Sequence, residues 1–176
     1  MSRRRPQNGI SYKAMFRPTM WIALFLLATL TTACNQQAHD YHRYLNHDFP
    51  TLTKGVNEAV GQVNELLTGK IPPRNKATQM TQQVLPVYQT AINRLREYEG
   101  KNSTIHNYHQ RYLAIAERQF DAFKQLRKAW KKGQPSGPTA TILSAVQKDM
   151  QTWTDEVATR AKEHNIELVD PQAKSP

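Results

Sequence analysis

Beyond residue 40 the apolar residues recur every three or four positions and nowhere alternate, which restricts the chain to helices that each bury one face. The first series is Leu45, Phe49, Leu52, Val56, Ala59, Val63 and Leu66, stepping by four and three in turn. Side chains so spaced share one stripe of a 3.6-residue helix. A second series runs Ala77, Met80, Val84, Val87, Ala91, Leu95 and Tyr98, and a third Ile105, Tyr108, Tyr112, Ala116, Phe120, Phe123, Leu126 and Trp130. A fourth follows at Leu143, Val146, Met150, Trp153, Val157, Ala161 and His164. Between them stand Gly69 to Pro73, Glu99 to Asn102 and Gly133 to Pro138, rich in residues that stop or cap helices. Short links force neighbouring helices to run opposite ways. The expected fold is therefore all-α, an up-down-up-down antiparallel four-helix bundle. Pro50 and Pro86 each remove a backbone donor inside a series. The first helix is expected to kink at Pro50 or to begin near Asp48 as its cap. If it breaks there, a three-helix bundle with a divided first segment is the alternative.

The only cysteine closes an apolar run that reads Met20-Trp-Ile-Ala-Leu-Phe-Leu-Leu-Ala-Thr-Leu-Thr-Thr-Ala-Cys34. Arg3, Arg4, Arg5, Lys13 and Arg17 precede it, and small residues end it, the three parts of a secretory signal. Its strongly apolar part from Trp21 to Leu30 is half of the roughly 20 residues that a membrane-crossing helix needs. Thr32, Ala33 and Cys34, with a leucine at Leu30, resemble the lipobox of bacterial lipoproteins, whose cysteine receives the lipid. Thr31 and Ala33 also suit an ordinary signal peptidase, and both routes start the mature chain at Cys34. The resemblance implies a signal peptide over 1–33 and palmitate-type acylation at Cys34, with a tether over 34–40. A helical domain over 41–167 and a flexible tail over 168–176 would follow. It also implies attachment to a membrane through the lipid. The arginine-rich leader and an Asn35 that is not aspartate point to the periplasmic face of the outer membrane. Lipid on Cys34 leaves no thiol for a disulfide, so stability has to come from packing.

All 14 acidic residues follow Cys34 while 5 of the 24 Lys and Arg precede it, which lowers the net charge from +10 to +5 in the mature chain. In an exported protein the polyanions at hand are phospholipid heads, lipopolysaccharide, teichoic acid and acidic proteins rather than nucleic acid. Bundle topology gathers the cations Lys70, Arg74, Lys76, Lys124, Arg127, Lys128, Lys131 and Lys132 at the pole away from the anchor. Part of that clustering is only the preference of cations for helix C-termini. The rest is a candidate surface for an anionic envelope partner, protein or polymer. All six histidines fall at the other pole. His42, His109 and His164 lie on or beside apolar faces, the pattern by which bundle helices build three-histidine zinc or copper sites. The competing expectation is that they are hydrogen-bonded structural residues, or a cluster that responds to pH.

No nucleophile elbow, glycine-rich phosphate loop or His-Glu-x-x-His occurs, and Asp155 and Glu156, adjacent on a helix, point about 100° apart. The expectation is a non-enzymatic, cofactor-free envelope lipoprotein without a small-molecule substrate. It would bind its partner through its surface and basic tip. The alternative is a metal- or pH-responsive sensor. In shape it is similar to the small helical lipoproteins that serve secretion machines as pilotins.

Overall fold

The computed structural model describes residues 36–134 and 137–168; Cys34 and the expected signal peptide lie outside them. Every regular element among the described residues is helical. Four runs account for them. Helix α1 covers 36–68: an opening stretch over 36–43, one wide π-turn at Tyr44–Asp48, then Phe49–Thr68. Helix α2 covers 73–97 and repeats the plan, with Pro73–Gln79, a π-turn at Met80–Val84, then Leu85–Glu97. Helix α3 is Ser103–Lys131 and α4 is Gly137–Glu163.

The two internal prolines explain the two π-turns. A proline ring collides with the carbonyl four residues back and offers it no N–H. Both π-turns end two residues before a proline, Pro50 or Pro86, and the wide turn makes room for the ring without ending the helix. The first helix is thus neither broken at Pro50 nor started at Asp48. Asp48 instead accepts the Tyr98 hydroxyl at 3.2 Å and faces Arg43 at 3.7 Å. Residues 36–40, expected in a tether, already belong to α1.

The helix ends follow ordinary capping chemistry. The Asn102 side chain accepts the Ile105 N–H at 3.0 Å and opens α3. Gly133, at φ +69°, turns the chain left-handed so that Gln134 N–H reaches back to the Ala129 carbonyl. Asn165, at φ +53°, does the same for α4, returning the Ile166 N–H to Ala161 and burying the Ile166 side chain.

Helix α2 packs beside both α1 and α3, and α4 beside α3. Lying between two neighbours, α2 buries a wide arc. A Cβ on Gly55 of α1 would stand 3.1 Å from the Ala91 Cβ, so this glycine sets how close α1 and α2 approach. Tyr88, Ile92 and Leu95 are fully buried beside α3. The series read from sequence held Val87 and missed Tyr88 and Ile92, because one stripe per helix is too narrow for an element with two partners. Replacing Gly55 by leucine is expected to force the two backbones apart and to cost about 1–3 kcal/mol, read as a lower urea midpoint. An unchanged midpoint would mean that the close approach does not matter.

Candidate anion-binding site

The pole where the α1–α2 link meets the end of α3 carries a cleft of about 530 Å³ between α2 and α3. Helical spacing builds both walls. Arg74, Thr78, Thr81 and Gln82 fall on one side of α2, and Arg127 and Lys131, four apart, on one side of α3, with Ala77 as the apolar floor. Among the described residues no acidic side chain lines the cleft. Thr78 and Thr81 spend their hydroxyl protons on the Arg74 and Ala77 carbonyls four residues back. The donors left to face the cleft are the cations and the Gln82 amide. The Arg127 Nε is buried and has no hydrogen-bond partner among the described residues. Planar guanidinium groups on opposite walls suit a ligand with several acceptor oxygens, a phosphate or a carboxylate.

Of the eight cations expected at this pole, the structure brings three into the cleft: Arg74, Arg127 and Lys131. Lys76 lies over the Trp130 ring at 5.4 Å, a cation–π contact that also fixes Trp130 as a buried closing side chain. Lys124 pairs with Asp121 and sits 4.7 Å over Phe120. Lys70, Lys128 and Lys132 are exposed outside the cleft walls. Thr78, Thr81 and Gln82 were missed by sequence reasoning; their spacing of four, seven and eight residues from Arg74, one side of a helix, was the available signal.

The histidine pole does not form the expected three-ligand site. Among the described residues no group of three His, Cys, Asp or Glu side chains is placed to hold a metal ion. His42 is exposed, with its ring 6.4 Å from that of His47. His164 packs edge-on to Tyr41 at 6.0 Å. His109 is fully buried and both ring nitrogens are taken. Its Nε2 donates to the Leu95 carbonyl at 2.7 Å, since a carbonyl can only accept. Nδ1 is then bare and accepts the Tyr44 hydroxyl at 3.2 Å. Neither lone pair nor space is left for a metal.

Burial, reinforced by His106, lowers the His109 pKa from its usual 6.5, against an opposing contribution from the Leu95 hydrogen bond. Tyr98 beside it is pushed up to about 12 by burial and by the Asp48 carboxylate that accepts its hydroxyl. The lowered histidine pKa has a sign. Below pH 6.5 the unfolded chain binds a proton that the folded one refuses, so stability falls as pH drops through that value and levels off once the folded pKa is passed. Urea midpoints at pH 7.5 and pH 5 should differ in that direction, and the difference attributable to this site should shrink in His109→Gln. A midpoint higher at pH 5 than at pH 7.5 in the wild type alone would contradict the neutral tautomer. No membrane-crossing helix, by length and apolarity, occurs among the described residues. Compared with known protein families, curated proteins and solved structures, the chain matches none.

Proposed function

We propose that the chain is a non-catalytic lipoprotein of the cell envelope, an up-down-up-down four-helix bundle held to the periplasmic face of the outer membrane by lipid on Cys34. It binds an anionic envelope partner, protein or polymer, through its basic cleft. The observation that carries this reading is the convergence of Arg74, Arg127 and Lys131 on one cleft with no acid in its lining among the described residues. Cations gathered only by the preference for helix C-termini would spread round the end of α3. Here Arg74 comes instead from the first turn of α2, where the helix dipole disfavours a cation, so its position needs another reason. The topology supports the orientation: the described chain enters at residue 36 and reaches the cleft pole after the whole length of α1. A tether at Cys34 therefore leaves the cleft free to meet a partner away from the lipid. The ion pairs Arg111–Glu156 and Arg118–Asp149 tie α3 to α4 along their exposed side, whereas no ion pair is found for Arg74, Arg127 or Lys131 among the described residues.

The anchor is tested in growing bacteria. Radiolabelled palmitate is expected to enter the wild-type protein and not Cys34→Ser, and the variant should leave the membrane fraction. Wild-type protein that takes up no label, or a variant that fractionates with the membrane as before, would remove the anchor from the account.

A further inference from the structure

The pairing of the helices is uneven. Helices α1 and α4 touch through Phe49 and Trp153, with ring centroids 4.9 Å apart, and the Asn46 amide of α1 donates at 3.0 Å to the carbonyl of Glu167, beyond the end of α4. Farther along they part. The gap is a cavity of about 600 Å³ running from Phe49 to Leu67 on α1 and from Thr154 to Ala140 on α4, with Tyr112 and Phe123 of α3 as its floor. A second cavity of about 420 Å³ continues it past Trp153 to Leu45 and Leu168. The reason is visible in the side chains. Where α2 and α3 meet through Tyr88 and Phe120, this seam has Val60, Asn64, Ala140 and Ser144 facing the gap, smaller side chains that leave it unfilled.

Two features select an occupant. The first is charge: among the described residues no Asp, Glu, Lys or Arg lines either cavity, although 22% of the chain is charged. What lies there has no charge along its length. The second is size. The larger cavity follows Phe49 to Leu67, about 27 Å of helix at 1.5 Å per residue, yet its volume is only about 600 Å³. A slot that long and that small suits one extended chain better than a second helix, ~10 Å across. The volume is also within the ordinary range for a small-molecule site, roughly 300–1,000 Å³, with an apolar wall and a few neutral polar groups. Leu67 ends the lining on α1, and the exposed Lys70 follows it by three residues, within about 11 Å by chain length alone.

We propose that the seam between α1 and α4 binds one acyl chain of an anionic single-chain lipid, with the chain along Val56, Val60, Leu143 and Met150 and the head at the mouth beside Lys70. The inference is independent of the basic cleft, whose walls it does not use. Apolar burial drives it: each methylene withdrawn from water contributes favourably, and Asn57, Asn64 and Ser144 keep the empty slot wettable.

The experiment uses the full chain in phosphatidylcholine nanodiscs with a trace of diazirine-bearing palmitic acid, photolysed and mapped by peptide mass spectrometry. Adducts should concentrate in peptides covering 49–67 and 140–154, and excess palmitate should remove at least four-fifths of them. Val60→Trp with Ser144→Trp fills the slot. Asn57→Asp with Asn64→Asp, both at exposed positions, lines it with charge and leaves the core alone. Each pair should lower the adducts at least fivefold at unchanged helix content by circular dichroism. Palmitate should compete at least fivefold better than methyl palmitate at low salt. Adducts scattered over the helices, adducts that palmitate does not displace, or adducts unchanged in the Asp variant would overturn the site. Equal competition by acid and ester would overturn the anionic head.

Discussion

Changing Arg74, Arg127 and Lys131 together to glutamate is expected to lower affinity for an anionic envelope ligand about a hundredfold. The three side chains share one cleft, and no acid among the described residues lines it. Exposed charge pairs contribute roughly 0.2–1 kcal/mol each. Three reversals both remove attraction and add repulsion, so a total near 3 kcal/mol follows, and 1.4 kcal/mol is a factor of ten. The control reverses Lys54, Lys148 and Lys162, three exposed lysines on α1 and α4 that alter net charge by the same amount away from the cleft. If both triple variants lose affinity equally, then the protein's overall charge governs binding and the cleft has no special part. Binding to lipopolysaccharide or to phosphatidylglycerol vesicles, followed by sedimentation, measures the difference.

Tyr88→Ala is expected to have the largest effect on stability, about 3–5 kcal/mol out of a total that is typically 5–15. The ring is fully buried, stacked on Phe120 at 5.4 Å and edge-on to Phe123 at 5.5 Å. Its hydroxyl donates to the Gln119 Oε1 at 2.8 Å and lies 3.1 Å from the Ala116 carbonyl. Truncation therefore opens a cavity between α2 and α3 and strands an acceptor. Tyr88→Phe keeps the packing and loses only the hydrogen bond, for about 1 kcal/mol. Urea unfolding followed by circular dichroism separates the two. Equal losses for alanine and phenylalanine would show that the hydroxyl, not the ring, holds α2 to α3.

Much of this architecture is written in apolar spacing. Ile105, Tyr112, Ala116, Phe123, Leu126 and Trp130 are all buried on α3 as their period requires, since that helix has no internal proline or glycine to disturb it. Asn102 and Gly133 could be recognised as helix ends because capping is local chemistry. Other features depend on neighbours. Nothing within the α2 sequence says that Tyr88 faces α3 while Ala91 faces Gly55 of α1. The π-turns before Pro50 and Pro86 were likewise not legible, because the choice between a break and a wide turn depends on what the rest of the helix buries.

The two poles show the same limit. His109 shares an apolar face with Ile105, as expected, but its nitrogens are satisfied by Leu95 and Tyr44, which come from two other helices. Eight cations could be assigned to one end of the fold, yet only three-dimensional placement separates Arg74, Arg127 and Lys131 from Lys76 on Trp130 and Lys124 on Asp121. The seam was hidden for a different reason. The α1 and α4 series both read as core faces, and the small and neutral residues beside them, Asn57, Asn64, Ala140 and Ser144, do not disturb the period.

Salt dependence tests most directly the claim that the basic cleft binds an anion. Affinity for phosphatidylglycerol vesicles should fall at least tenfold between 50 and 500 mM salt in the wild type, as the screening length shrinks from roughly 14 to 4 Å, and should hardly vary with salt in Arg74→Glu, Arg127→Glu, Lys131→Glu. Wild-type affinity that stays level across that range would contradict it.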